Sequence, residues 1–246
     1  MKKYFLALVF LLPSPIAVFC LKLLGFKIGR KVKIGFSLII VNSITMSDYS
    51  SIGHGCICKC DSISMKENSY IGRLNILFGP FTILLSKYAA IGNSNKITRG
   101  PSSSATSHRS FLKLGELSKI TANHRIDVTR SILFGRFTTL AGTNSEIWTH
   151  GYVHAEKGPG RYRIDGPVIL GNNVYIGSRS LITSGVKISS SIQVGAGAVV
   201  SKSISEKGVY VSQGLRVLPL PPEPDQRLDL KLDEDNNEDR IFIKTI

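Results

Sequence analysis

The sequence predicts an all-β fold, a parallel β-helix of six-residue repeats with an N-terminal helical segment and a C-terminal tail. Between residues 168 and 200, an aliphatic residue returns at every sixth position, and a second series of mostly small or β-branched residues lies two positions before it. A period of six fits neither a lone helix nor a hairpin, but it fits short strands and turns that coil in parallel. The two series are Leu170, Ile176, Ile182, Ile188, Val194 and Val200, and Val168, Val174, Ser180, Val186, Ile192 and Ala198.

The same period extends the coil toward the N-terminus. It is clean from Ile28 to Cys58 and returns with phase shifts as far as Ile132. Three hexapeptides complete a triangular turn, so residues about 18 apart are expected to stack. Glycine often follows the aliphatic position, as in Ile34-Gly35. We expect these glycines to serve turns that need unusual backbone dihedral angles. The β-helix is predicted over residues 25 to 218.

Residues 1 to 24 are predicted to form an apolar helical segment. Pro13 and Pro15 interrupt the apolar stretch, so the run before them is too short to span a bilayer. No small-residue cleavage site follows, which argues against a signal peptide. Basic residues cluster from Lys22 to Lys33. This pattern favours a segment in the cytoplasmic membrane interface, with a helix that caps the body or contacts a neighbouring subunit as the alternative.

Residues 219 to 246 are predicted to form a tail. The stretch P-L-P-P-E-P begins it and is typical of an extended linker. An acidic, polar stretch follows, which is expected to be mobile or to lie on the surface. The last residues, I-F-I-K-T-I, alternate and are suited to pairing with another strand.

The charge balance indicates anionic partners. Lys and Arg exceed Asp and Glu by 31 − 17 = 14, which favours phosphate-bearing cofactors, acidic sugars or an anionic membrane face. Zinc-finger spacing, an RNA-binding aromatic signature and a basic recognition helix are all missing, so nucleic acid is not an expected partner. Cys56, Cys58 and Cys60 alternate along one side of a strand, and we expect reduced thiols packed as small apolar residues in a cytosolic protein.

The repeat breaks at two places, residues 99 to 111 and about 138 to 166. Segments that leave a regular scaffold often carry chemistry. The first break is rich in serine. The second contains W-T-H-G-Y-V-H, with His150 and His154 beside Trp148. The second break is therefore the candidate site.

The T-H of this stretch is followed by G-N-N-V-Y-I-G-S (171 to 178) and G-A-G-A-V-V-S-K (195 to 202). This combination resembles the C-terminal half of the galactoside, maltose and exopolysaccharide O-acetyltransferases of the hexapeptide-repeat acyltransferase superfamily. The resemblance implies a left-handed β-helix, a homotrimer, acetyl-CoA as donor and no metal. It also implies transfer of acetyl to a sugar hydroxyl of a surface polysaccharide or its lipid-linked intermediate.

The resemblance also assigns residues. His150 is expected to be the general base that takes the proton of the sugar hydroxyl, a task suited to a neutral imidazole. Asn123 is expected to contact the acceptor. Tyr175 is placed against the pantetheine arm of the donor and Lys202 near one of its phosphates. The full set of cofactor candidates is Tyr175, Gly177, Ser178, Ala196, Ser201 and Lys202.

Further acceptor candidates surround His150. His124 is expected either to line the cleft or to face solvent. Asp127 is expected to orient a histidine ring or to cap a turn. Trp148 is a candidate contact, with packing as the alternative. His154 lies four residues after His150 rather than three as in the galactoside enzymes, so no role transfers to it.

Two other functions fit parts of the sequence. His124, His150 and His154 are enough for a three-histidine zinc site of the γ-type carbonic anhydrase kind, which shares the β-helix. Their spacing matches that family poorly. A non-catalytic β-helix scaffold is the second alternative, because the repeat establishes fold better than chemistry.

Overall fold

The computed structural model describes residues 7–101, 109–154, 156, 160 and 162–212, together with the backbone of 230–232 and 242–244. The chain divides into two compact units, Met1–Ser212 and Gln213–Ile246. The first unit is a solenoid of parallel strands with about nine turns, so the predicted all-β parallel helix is confirmed. The boundary between the units lies slightly before the predicted one at residue 218.

Among the residues that the structure describes, the first unit contains the helix α1 (Ser14–Leu23), a short helical stretch at 7–9 and 25 strands, and the second unit contains two strands. The strands are β1 (Lys27–Ile28), β2 (Lys33–Ile34), β3 (Leu38–Met46), β4 (Ser51–Ile52), β5 (Ile57–Met65), β6 (Tyr70–Ile71), β7 (Ile76–Phe78), β8 (Phe81–Leu85), β9 (Ala90–Ile91), β10 (Lys96–Thr98), β11 (Ser110–Leu114), β12 (Lys119–Ala122), β13 (Arg125–Asp127), β14 (Ile132–Phe134), β15 (Thr139–Thr143), β16 (Glu146–Ile147), β17 (His150–Val153), β18 (Tyr162–Asp165), β19 (Val168–Leu170), β20 (Tyr175–Ile176), β21 (Leu181–Ile182), β22 (Lys187–Ile188), β23 (Ile192–Val194), β24 (Val199–Val200), β25 (Gly208–Tyr210), β26 (Leu230–Leu232) and β27 (Phe242–Lys244).

The strands of the coil form three faces. Face 1 consists of β2, β4, β6, β9, β12, β15, β20, β23 and β25. Face 2 consists of the first halves of β3 and β5, then β7, β10, β13, β16, β21 and β24. Face 3 consists of β1, the second halves of β3 and β5, then β8, β11, β14, β19 and β22. We call the turns that follow face 1 the first edge and those that follow face 2 the second edge.

The spacing of stacked residues agrees with the predicted repeat. Ile34 pairs with Ile52 and Ile176 with Val194, each 18 residues apart. In the middle of the coil the step lengthens, since Ile71 pairs with Ile91, which is 20 residues away. The turn is triangular throughout, and the added residues lie at its edges.

Both six-residue series point into the coil. The aliphatic series from Leu170 to Val200 and the series from Val168 to Ala198 are buried, including the polar Ser180. The Ser180 hydroxyl donates to the carbonyl of Gly177 at 2.8 Å, so its burial leaves no unpaired polar group. The interior is therefore filled as the repeat predicts.

The glycines after the aliphatic positions have a different role from the predicted one. Their φ angles lie outside the left-handed region, which is instead occupied at the edges by residues such as Tyr49 and Phe137. A Cβ on Gly35 would lie 2.6 Å from the carbonyl carbon of Gly53, and one on Gly53 would lie 2.7 Å from that of Gly72. Glycine is needed there because consecutive turns approach closely. The expectation of unusual dihedral angles at these glycines is wrong.

The helix α1 covers the start of the coil. Ala17 and Leu21 are buried, and the Ser14 hydroxyl accepts a hydrogen bond from the Ile34 amide at 2.9 Å. The N-terminal segment also carries large apolar side chains that remain exposed. These are Leu8, Leu11, Ile16, Phe19, Leu23 and Leu24. Among the described residues, none of the helices has the length and apolar character needed to cross a bilayer.

The cysteine triplet lies inside the coil. Cys56, Cys58 and Cys60 are buried and form no disulfide. Burial raises the pKa of Cys60 to about 12 and that of Cys58 well above its usual range. The thiols therefore pack as apolar side chains, as predicted.

The second unit contains one described strand pair. β26 and β27 are antiparallel, with Leu230 opposite Lys244. The alternating residues near the C-terminus therefore pair within this unit. The Pro-rich stretch of the predicted tail lies outside the described residues, and so does the acidic stretch apart from β26.

Candidate active site

The coil opens after β16. The chain leaves face 2, forms an antiparallel hairpin from β17 and β18, and returns to the coil at β19. Residues 138 to 147, which were predicted to belong to this break, continue the coil as β15 and β16. The excursion is therefore shorter than predicted, and His150 is the first residue of its hairpin.

His150 pairs with a buried carboxylate. Its Nδ1 lies 2.9 Å from Asp127 Oδ2, and Asp127 stands at the end of β13, on the preceding turn. Because an ionised carboxylate only accepts hydrogen bonds, Nδ1 is the donor in this contact, and in the neutral imidazole Nε2 then keeps its lone pair. No hydrogen bond of Nε2 is found among the described residues. The imidazole is 25% exposed and Asp127 only 7%.

Two threonines fix the carboxylate. The Thr129 hydroxyl donates to Asp127 Oδ1 at 2.8 Å. Thr149 donates to Oδ2 through its amide at 3.1 Å and its hydroxyl at 2.6 Å. These bonds hold an ionised Asp127 at a buried position, where an unpaired charge would be costly. Of the two roles predicted for Asp127, the structure supports orienting a histidine ring.

Aromatic side chains flank the imidazole. The rings of Trp148 and Tyr152 approach His150 edge-on, with centroids 6.0 and 6.3 Å from its own. Trp148 Nε1 donates to Glu146 Oε2 at 2.7 Å, and the indole is 36% exposed. Trp148 is thus held beside His150 with part of its surface open, a position from which it can contact a ligand.

His124 has the environment of an internal packing residue. It is 1% exposed. Its Nδ1 accepts from the Ser145 amide at 3.1 Å, so Nε2 carries the proton and faces the Thr121 hydroxyl at 2.9 Å. Burial lowers the pKa of His124 to about 4. Because the ring is enclosed and both nitrogens are engaged inside the protein, His124 neither lines an open cleft nor faces solvent, the two positions that were predicted for it.

Asn123 is separated from His150 within one chain. It occupies a left-handed turn on the first edge, with φ of 57°. The whole of β13 lies between it and Asp127, a distance of about 13 Å along an extended strand. Asn123 is thus on a different edge of the chain from His150, and its contact with the acceptor stays a prediction.

The three histidines do not converge. His124 precedes β13 on the first edge, whereas His150 lies at the second edge. His154 is exposed beyond the end of β17, about 13 Å from His150 because the intervening residues are extended. Among the described residues, no group of three metal-binding side chains is formed. Within one chain, the three histidines therefore do not form the alternative three-histidine zinc site.

The predicted cofactor residues lie on two lines along the coil. Tyr175 is on face 1 and 48% exposed, and Gly177, Ser178 and Ala196 follow on the first edge. Ser201 and Lys202 are exposed on the second edge, the edge that also carries His150. Two turns separate Trp148 from Ser201, since Trp148 donates to Ile182 and Thr183 to Val200. This corresponds to about 10 Å along the coil.

A cavity near the pair Asp127 and His150, which we call the dyad, was not predicted. It has a volume of about 420 Å³ and lies on the second edge, toward the N-terminus from Asp127. Lys59, Asp61, Phe78 and Arg99 are among its lining residues. These residues are far apart in sequence and meet only because turns stack, so no local motif marks them. Thr129 and Thr149 were missed for the same reason.

No protein-family model matches the chain. Among curated proteins, the bifunctional protein GlmU of Acinetobacter baumannii (strain AYE) is 26% identical over 205 residues, covering 78% of this chain and 39% of GlmU. The putative acetyltransferase YvoF of Bacillus subtilis is 33% identical over 90 residues, covering 37% of this chain and 49% of YvoF. The chain thus spans less than half of these relatives.

Among solved structures, the polysialic acid O-acetyltransferase OatWY superposes with a TM-score of 0.50 and 17% identity, covering 82% of this chain and 96% of OatWY. This likeness concerns the fold. Together with the repeat and the observed solenoid, it confirms the predicted resemblance to hexapeptide-repeat acetyltransferases at the level of architecture. The chain therefore has the hexapeptide-repeat β-helix fold that it shares with the acetyltransferase OatWY.

Proposed function

We propose that the protein is an O-acetyltransferase that moves acetyl from acetyl-CoA to a hydroxyl of a surface polysaccharide or its lipid-linked intermediate. The observation that carries the proposal is the 2.9 Å contact between Asp127 and His150 at the excursion from the coil. An imidazole whose Nδ1–H is held by a carboxylate presents an unprotonated Nε2, as a general base requires. The activities stated in the names of YvoF and OatWY support the same reaction class.

In the proposed step, the acceptor hydroxyl attacks the thioester carbonyl carbon while His150 Nε2 takes its proton. A C–O bond forms, and the tetrahedral intermediate then releases CoA by breaking the C–S bond. His150 returns the proton to the departing sulfur, so enzyme and charge are restored. Asp127 stabilises the imidazolium that exists between the two proton transfers.

The donor is proposed to lie along the two lines of cofactor candidates. Tyr175, Gly177 and Ser178 would contact the pantetheine arm, and Ala196 and Ser201 would lie along the cofactor. Lys202 is exposed and cationic, so it would face a phosphate. These lines belong to different edges of one chain. A homotrimer would place the first edge of one chain beside the second edge of the next, and sedimentation analysis of the purified protein tests that assembly.

The N-terminal segment is proposed to rest on the cytoplasmic face of a membrane. Its exposed apolar residues include Phe19 at 62% and Leu23 at 71%. Lys27, Lys31 and Lys33 are exposed nearby and would attract anionic lipid headgroups. Flotation with vesicles that contain anionic lipid tests the contact, and a double change of Phe19 and Leu23 to Ser should reduce it.

The decisive test of the reaction combines glycan analysis with one substitution. Mass spectrometry of surface glycan from cells with and without the protein should reveal a difference of one acetyl group per acetylated unit. With purified protein, His150→Ala should lower the transfer rate by roughly 10²–10⁴-fold. His54→Ala, a change of an exposed histidine near the start of the coil, is the matched control. If His150→Ala keeps most of the rate, His150 is not the base; if wild type transfers no acetyl, the scaffold alternative gains support.

A further inference from the structure

We propose that the acceptor is an amphiphile, a sugar joined through an anionic group to an apolar chain, which binds along face 2 between His150 and the N-terminal segment. The inference rests on the proposed acetyl transfer for the role of the sugar end. The binding of the anionic and apolar parts is argued independently, from the surface that leads away from the dyad.

A straight line of outward positions runs from the dyad toward the N-terminus. Asp127 is in register with Thr98, Thr98 with Phe78, Phe78 with Lys59, and Lys59 with Ile40. Neighbouring strands lie about 4.8 Å apart, so Phe78 is about 10 Å and Ile40 about 19 Å from Asp127 along this line. The cavity of about 420 Å³ follows the line, because Phe78, Lys59 and Ile40 all border it.

The cavity is suited to an anionic group. Lys59 lies over the Phe78 ring, with Nζ 5.3 Å from the centroid. The Arg99 guanidinium donates to the Pro80 carbonyl at 2.5 Å and is also part of the lining. Asp61 contributes one negative charge against these two positive ones. The lining therefore carries a net positive charge, which favours a phosphate or diphosphate.

A second line of stacked outward positions on face 2, which we call the column, lies beside the first and changes from apolar to cationic residues along the coil. Leu38, Ile57 and Ile76 stack in register and are 41%, 45% and 39% exposed. The next two members of the column are Lys96 and Arg125, both exposed. An apolar stretch thus ends where the surface approaches His150, and a cationic one begins. We call Leu38, Ile57 and Ile76 the apolar strip.

The apolar strip continues onto the N-terminal segment. The Ser37 amide donates to the Phe10 carbonyl at 3.3 Å, and Leu38 is the next residue. Leu8 and Leu11, on either side of Phe10, are 60% and 49% exposed. An apolar chain could therefore run from the cavity over the strip to the segment proposed to contact a membrane. The apolar strip, the cationic cavity and His150 follow one another along the surface. This is also the order of the apolar chain, the anionic group and the sugar in a lipid-linked sugar.

The test measures binding and transfer with a matched pair of probes. One is a monosaccharide linked through diphosphate to a short prenyl chain, and the other has a methyl group in place of that chain. Titration calorimetry on the full-length protein should show that the prenyl probe binds at least about tenfold more tightly, because it buries several additional CH₂ groups. Ile57→Ser with Ile76→Ser should remove this advantage. Leu117→Asn, at an exposed apolar position outside the strip, should preserve it.

Each outcome separates this inference from the proposed reaction. Equal affinity for the two probes, or a prenyl advantage that survives the strip double variant, overturns the inference even if acetyl transfer occurs. A prenyl advantage without acetyl transfer to any acceptor supports the surface and contradicts the reaction. Sedimentation of the double variant is the remaining check: if it dissociates an oligomer and leaves the prenyl advantage unchanged, the strip is a contact between chains and the inference fails.

Discussion

Asp127 and His150 are 23 residues apart in sequence, yet Oδ2 of the first lies 2.9 Å from Nδ1 of the second. The contact exists because one turn of the coil separates them, with Arg125 in register with Glu146 and Ile126 with Ile147. The carboxylate is thus supplied by the scaffold and the imidazole by the excursion. The contribution of this contact to catalysis can be tested by substituting either residue.

Asp127→Asn should lower kcat by at least about 10²-fold with little change in the KM of either substrate. An amide at this position can donate to Nδ1, which favours the tautomer with a proton on Nε2 and removes the basic lone pair. Steady-state kinetics with a full pH profile measures the effect, with Glu116→Gln as a control at a surface ion pair. An unchanged kcat would show that Asp127 does not position the base.

His124 should make the fold sensitive to mild acid. Its pKa is lowered to about 4 in the folded protein, against an ordinary value of 6.5. Below pH 6.5 the unfolded chain binds a proton that the folded chain does not, so stability is lost as the pH falls from about 6.5 toward 4. The full loss is up to about 3 kcal/mol.

His124→Gln removes this titration. Thermal unfolding at pH 7.5 and pH 5 should show a smaller drop in Tm for the variant than for the wild type, although the variant starts lower because it loses buried hydrogen bonds. Equal drops in the two proteins would mean that another group governs acid sensitivity.

Gly53→Ala should destabilise the coil. The added Cβ would lie 2.7 Å from the backbone of Gly72, which cannot move without shifting the next turn. A loss of about 1–3 kcal/mol in the free energy of unfolding is expected. Chemical denaturation measures it, with Gly208→Ala as the control, because a Cβ there meets only Tyr210 at 3.9 Å. Similar losses at both sites would contradict the close-approach explanation.

Lys202→Gln should raise the KM for acetyl-CoA several-fold and leave kcat nearly unchanged, because it removes one charge from the proposed donor site. The increase should shrink at high salt, where an exposed charge is screened. Lys187→Gln, which removes an exposed lysine from face 3, is the matched control. If both substitutions have the same effect, general charge rather than a phosphate contact accounts for it.

The sequence by itself determined the architecture. Side chains that point into a coil must be apolar or small at every turn, so the six-residue period of Leu170 to Val200 recorded the repeat directly. The same logic predicted buried cysteines and an apolar N-terminal segment. The prediction for the glycines was wrong. Glycine is selected both where two turns approach closely, as at Gly35 and Gly53, and where the backbone needs unusual dihedral angles, so the sequence does not distinguish the two causes.

Only the tertiary structure decided which polar residues meet. His124 and Asp127 are three residues apart, yet β13 carries them to opposite edges, so that one is enclosed in the wall and the other holds His150. The cavity at Lys59 and Arg99 and the apolar strip arise in the same way, from positions one turn apart. The six-residue period indicates which side chains point into the coil. Which residues of neighbouring turns contact each other depends on how many residues each edge contains. That number varies along this chain, so the neighbours of Asp127 became known only once the turns were stacked.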